Sequence, residues 1–250
     1  MDNSAYVSLS LLTALERQLD VTANNLANVN SSGFKAERVL FESYLQPESG
    51  TAEDGGTNYV LDRGSYVDRR QGALVRTDNP LDVALNGTGW FGYRTAEGQT
   101  AYGRDGGFVL DAQGRLVTQS GAQVLDAAGG PIALPPDIGG TLTISADGTI
   151  SSPGAGVLAQ LGAFDLPQIQ SFERIGGGLL VPPADQDAAA LPDAETQFIQ
   201  GSIESSNVEA ITEVTRLVAT QQAYQRAVNL MSSEDDLRKD MLSRIGRPSF

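Results

Sequence analysis

The chain has 250 residues, 17 Lys plus Arg against 31 Asp plus Glu, a net charge of −14, and neither His nor Cys. That composition excludes disulfides, thiolate metal sites, cysteine nucleophiles and His-dependent triads, and it removes the commonest general base near neutral pH. An acidic surface repels nucleic acid, so no nucleic-acid partner is expected, while the acidic excess keeps a free subunit soluble.

The start, Met1-Asp2-Asn3 with its first basic residue at Arg17, lacks the basic opening and apolar run of a secretory signal. No stretch is apolar enough to span a bilayer, so no membrane insertion is expected. Instead Leu12, Leu15, Leu19, Thr22, Leu26 and Val29 step by three and four, beside a second seam of Val7, Leu11, Ala14, Gln18 and Val21. This broad apolar stripe predicts a helix, with Gly33 as its left-handed C-terminal cap. About 26 residues at 1.5 Å each give roughly 39 Å. Asn24, Asn25, Asn28 and Asn30 stand where helix propensity disfavours them by up to roughly 0.7 kcal/mol each. Their amides suit bonds to neighbouring helices, to terminal backbone groups, or to a fraying cap.

The helical segment is placed at 1–38, followed by a linker or extended segment at 39–71, in which Gln46 to Thr57 is polar and Gly-rich and reads as a loop. Residues 72–195 are rich in Gly, Thr, Val and short alternating runs, which predicts a β-rich domain of successive hairpins. Four tetrads there share Ala second and Gly fourth: Thr95-Ala96-Glu97-Gly98, Asp111-Ala112-Gln113-Gly114, Asp126-Ala127-Ala128-Gly129 and Ser145-Ala146-Asp147-Gly148. Each fits a type I turn followed by a left-handed Gly, a common hairpin connection.

Residues 196–250 are expected to hold a second long helix. Ser206 with Glu209 fits a capping box, Asn207 is an alternative cap, and no Gly or Pro interrupts the run to Ile245. A seam of Val214, Leu217, Tyr224, Val228 and Met231 gives the helix a side that wants a partner. Gly246 and Pro248 end it. The fold class is therefore α+β, mainly β: long terminal helices forming a coiled-coil-like layer around an inserted β-rich domain.

Motifs for chemistry are weak. Gly87-Thr88-Gly89-Trp90-Phe91-Gly92 spells a dinucleotide fingerprint, but a strand and a hairpin turn follow it where the chemistry needs a helix N-terminus. The Asp-rich turns lack the spacing of a calcium loop. Glu234, Asp235 and Asp236 read as a solvated helix face. Trp90 is either a core aromatic or, in a rival reading as a secreted carbohydrate-binding module, the ligand platform. No enzyme activity, cofactor or metal is expected.

Three ordered blocks resemble a known family. Leu19 to Lys35, with Ala23-Asn24-Asn25-Leu26-Ala27-Asn28 and Ser32-Gly33-Phe34-Lys35, resembles the N-terminal signature of flagellar rod and hook proteins. Gly72-Ala73-Leu74 and Leu81-Asp82-Val83-Ala84-Leu85-Asn86-Gly87, continuing through Gly89, Trp90, Phe91, Arg104 and Phe108, is similar to the family's second block. Gly201-Ser202-Ile203-Glu204-Ser205-Ser206-Asn207, followed by Gln222-Ala223-Tyr224, is similar to the third. Trp90, Gly103 and Asp78 depart from the family's usual Phe, Thr and Gly.

Length and the stretch before Gln71 favour the proximal rod members, with the distal rod protein as the near alternative. The resemblance implies a structural subunit of the periplasmic rod of the flagellar basal body, transmitting torque in motility. It implies export by the flagellar type III apparatus without a cleavable signal, and partners among other rod proteins and copies of itself. Subunit packing is then expected at Leu15, Leu19, Leu26 and Val29, at Val214, Leu217, Tyr224, Val228 and Met231, and through the amides of Asn24, Asn25 and Asn28.

Overall fold

The computed structural model describes residues 2–47, 56–135, 142–183 and 190–245. The chain divides into two compact units. One comprises Met1–Ala27, Glu37–Tyr66 and Glu209–Phe250; the other comprises Asn28–Ala36 and Val67–Val208.

In the first unit, helix α1 (Asp2–Ala27) packs on helix α2 (Ala210–Ile245), and strands β1 (Glu37–Pro47) and β2 (Gly56–Val67) pair as a separate two-stranded sheet. The extended linker expected at 39–71 thus carries two long strands. Of the loop expected at Gln46–Thr57, residues 48–55 lie outside the described residues, as do the helix stops Gly246 and Pro248.

The helix seam is built from small and polar side chains. Ser8, Ala14, Val21, Thr22 and Asn25 are buried on α1, and Glu213, Thr220 and Ala227 on α2. The α2 positions are seven apart, with Leu217 and Tyr224 half-buried between them, so one side of the helix faces inward over four turns. This seam lies beside the one read from sequence. Leu217, Tyr224 and Val228 are half-buried, whereas Val214 and Met231 are exposed. After Ala227, no described side chain of α2 is buried.

The second unit is an antiparallel β structure with β3 (Leu74–Arg76), β4 (Val83–Asn86), β5 (Trp90–Arg94), β6 (Thr100–Gly103), β7 (Phe108–Leu110), β8 (Leu116–Thr118) and β9 (Gln123–Val124). β5 lies between β6 and β9 and is buried on both faces. Because side chains alternate along a strand, Phe91 and Tyr93 enter one apolar cluster while Trp90 enters another. Phe91 meets the Phe108 ring edge-on at 5.1 Å and lies 6.1 Å from Phe198. On the opposite face Tyr102 meets Phe164 edge-on at 5.7 Å. The chain then returns: Gln197–Gln200 pairs with β4, placing Phe198 opposite Leu85, and Ser202–Glu204 pairs with β3, placing Glu204 opposite Leu74.

All four tetrads form the expected turns. In each, the Gly N–H donates to the first residue's carbonyl, whose own N–H donates to the residue after the Gly; the four Gly φ values are 83°, 77°, 80° and 82°. Thr118-Gln119-Ser120-Gly121 makes the same turn without the Ala. Asp78 takes a φ of 59°, a region where Gly is easiest and Asp tolerable, which explains physically why a Gly suits that position.

Candidate functional site

The family-signature residues converge on one buried cluster in the β unit, centred on Glu204. Its Oε1 accepts from Lys35 Nζ at 2.5 Å and from the Gly72 N–H at 2.9 Å, and its Oε2 accepts from Arg104 Nη1 at 3.1 Å. The side chains of Lys35, Arg104 and Glu204 are each at most 2% exposed. Lys35 Nζ also donates to the Arg70 carbonyl, and Arg104 Nη2 to the Gly87 carbonyl at 2.6 Å. Burial pulls both Lys35 and Arg104 below their ordinary pKa values, against the opposing pull of the Glu204 carboxylate. Two cations thus share one carboxylate, with Asp68 adding attraction at Lys35. Removing one partner from such a buried set leaves a charge without compensation.

Around this centre the N-terminal signature docks on the C-terminal one. The Gly33 N–H donates to the Glu204 carbonyl at 2.7 Å. Asn207 Oδ1 accepts from the Ala36 N–H, and its amide Nδ2 donates to the carbonyls of Asp68 and Arg70. Phe34, Ala36 and Val208 form a small apolar cluster with Val29 against it. Arg174 lies over the Phe34 ring at 4.6 Å and donates to the Lys35 carbonyl. Ser32 Oγ donates to Asp105 Oδ1, which also accepts from the Gly107 N–H. Burial pushes the Asp105 carboxyl above its ordinary pKa, despite these two hydrogen bonds, and Asp82 adds to that push.

These contacts correct two expectations. α1 ends at Ala27, so Gly33 does not cap it; its φ of 66° lets the chain lie against the Arg104–Asp105 peptide, where a Cβ has no room. The Ser206–Glu209 box does not form either: Ser206 Oγ accepts from the Val208 N–H, Asn207 is committed to backbone at 36, 68 and 70, and α2 starts at Ala210.

The rest of the signature frames the cluster. The Gly89 N–H donates to Thr196 Oγ1 at 2.8 Å, and strand β5 follows directly, so the dinucleotide pattern holds no helix N-terminus. Trp90 is 1% exposed and takes the Arg104 guanidinium over its ring at 5.4 Å, which removes it as a carbohydrate platform. Asp82 accepts from the Asn79 amide and, through its carbonyl, from the Gly201 N–H, and the Gly201 carbonyl receives the N–H groups of Thr77 and Asp78. Leu81 packs on the core that holds Phe91 and Phe108.

The expected packing residues lie elsewhere. Leu15, Leu19 and Leu26 are half-buried on α1, and Val29 is half-buried beyond it. Asn24 is exposed; Asn25 is buried and brackets the Glu37 backbone, donating to its carbonyl at 2.8 Å and accepting its N–H at 2.9 Å. Asn28 accepts from Ser31. Arg174, Asp68 and Asp105 were not legible, since each sits in a short or irregular segment without periodicity. Lys35 and Gly72 stood inside the signature blocks, but nothing in sequence marked them as partners of Glu204.

Residues 6–35 match the family described as flagella basal body rod protein, residues 84–152 the flagellar hook protein FlgE/F/G D1 domain, and residues 199–244 the flagellar basal body rod FlgEFG protein C-terminal family. Flagellar basal-body rod protein FlgF of Caulobacter vibrioides is 35% identical over 249 residues, covering 99% of both chains. This chain belongs to the flagellar basal-body rod protein family. Within the rod protein family, FlgF of Escherichia coli is 32% identical over 94% of this chain and 95% of its own, and FlgG of Bacillus subtilis is 30% identical over 97% and 99%. Lys35, Arg104 and Glu204 each fall in a different one of the three matched segments. The charge cluster therefore joins one residue from each matched segment.

Proposed function

We propose that this rod subunit, of the FlgF type in the proximal rod, polymerises through its terminal helices. The observation that carries this is the exposed apolar surface of the helix pair. Leu9 and Leu11 on α1, and Ile211, Val218, Leu230, Leu237 and Leu242 on α2, all face solvent in the single chain, Ile211 at 85% and Leu242 at 65%. Leaving apolar surface wet costs about 25 cal/mol per Å², so side chains of this size favour burial against neighbours. Helices of related rod proteins and of further copies supply a matching surface, forming a coiled-coil-like layer that shares torque over many contacts. The absence of His and Cys and the burial of Trp90 support a structural role over a ligand-binding one. Export by the flagellar type III apparatus to a periplasmic position belongs to this reading, since the resemblance to rod proteins implies it.

The test is a full-length chain carrying Val214→Asp with Leu242→Asp, returned to cells lacking the protein. Basal bodies are expected to show rods that stop short, while the purified variant keeps native β-unit stability. Complete rods and normal hooks in that strain would refute packing through these faces.

A further inference from the structure

We propose that the cluster imposes an order of closure on the β unit: residues 33–36 dock only once residues 202–207 are seated, so the segment made first is the last to lock. The asymmetry lies in the partners. The later segment has its own partners without the earlier one. Ser202–Glu204 pairs with β3, the Ser205 N–H donates to the Ala73 carbonyl, and Asn207 donates to the Asp68 and Arg70 carbonyls. Glu204 meanwhile closes a one-to-one pair with Arg104 and accepts the Gly72 N–H.

The earlier segment has bonds of its own to Ser31, Asp68, Arg70 and Arg174, and the rest come from the later one. Gly33 donates to the Glu204 carbonyl, Ala36 to Asn207 Oδ1, and the Phe34 carbonyl accepts the Asn207 N–H. Phe34 and Ala36 pack on Val208. Lys35 is the second cation of the set, and apart from the Arg70 carbonyl its ammonium is held by Glu204. Docked without Glu204, it would be a buried charge facing the like-charged Arg104, with the attraction of Asp68 alone against that repulsion. A chain emerging N-terminus first therefore keeps residues 33–36 open until Glu204, 169 residues beyond Lys35, has followed. This holds whether or not the chain polymerises.

Amide hydrogen exchange on the full-length protein tests the order. In the native chain under mild denaturant, the amides of Gly33 and Ala36 are expected to open before that of Ser205. Opening in the reverse order, or in one step with 202–207, overturns the proposal. Two variants sharpen the result. Lys35→Gln should speed exchange at 33–36 on the order of 100-fold while leaving 202–207 at native rates. Glu204→Gln should release both segments. Equal release of 202–207 by Lys35→Gln, or continued protection of 33–36 in Glu204→Gln, sinks the ordered lock. The native-chain and Lys35→Gln arms decide the matter even if Glu204→Gln fails to fold.

Discussion

The two units bury opposite kinds of side chain. The β unit encloses Trp90, Phe91, Tyr93 and Phe108, and it also holds two cations bonded to one carboxylate. The helix pair buries Ala14, Thr22, Asn25, Thr220 and Ala227, and leaves Leu230, Leu237 and Leu242 in solvent. A unit that hides its large side chains is complete as a single chain. One that hides small residues and displays large ones has used its close approach for the helix at hand, and its uncovered apolar surface is what the proposed polymerisation would bury.

The contrast can be broken at several points. Glu204→Leu leaves Lys35 and Arg104 buried without a carboxylate, and a loss of about 3–5 kcal/mol is expected in the denaturant midpoint of the β unit. Replacing the set together, with Lys35→Met, Arg104→Met and Glu204→Leu, should recover most of that loss. A single Glu204→Leu that costs under about 1 kcal/mol would mean the charges are not the closing element.

In the helix pair, Ala227→Leu should strain a seam built for small residues by about 1–3 kcal/mol, read as loss of helical circular dichroism at lower denaturant. Asp105→Asn sharpens the β-unit side with a smaller effect. The native Asp105 pKa is raised, so between its ordinary value and that raised value the folded state holds more protons than the unfolded one. Native stability therefore gains on acidification through that window and is lower above it. The Asn variant keeps an acceptor for Ser32 and Gly107, so it should be more stable at neutral pH, with the gap closing as pH falls. Thermal melts at neutral and acid pH that show no closing gap would remove Asp105 as the titrating group. Smallest of all, Ile211→Ser and Leu242→Ser should move the stability of the single chain by no more than about 0.5 kcal/mol, because neither residue is covered, while each lowers rod assembly in cells.

Local rules were legible wherever one residue type decides one conformation. The Ala-second, Gly-fourth tetrads gave their turns because the left-handed position selects Gly, and the fifth turn at Thr118–Gly121 was hidden only by relying on Ala. The helices were legible from their three-four stepping, but which stripe of α2 turns inward was not. Val214, Leu217 and Met231 are similar in kind, and only the presence of α1 sorts them into covered and uncovered. Gly33, Ser206 and Asn207 looked like caps because caps favour those residue types, whereas their real partners lie far away along the chain.

By itself, the sequence determined the element types, the turn positions, the absence of His and Cys chemistry, and membership of the rod protein family, since each follows from residue type, short-range spacing or motif order. Only the tertiary structure decided that Lys35, Arg104 and Glu204 form one set. Spacing along the chain carries no information about a charge that finds its partner 169 residues away. Burial, which makes that partner obligatory, is a property of the folded chain alone.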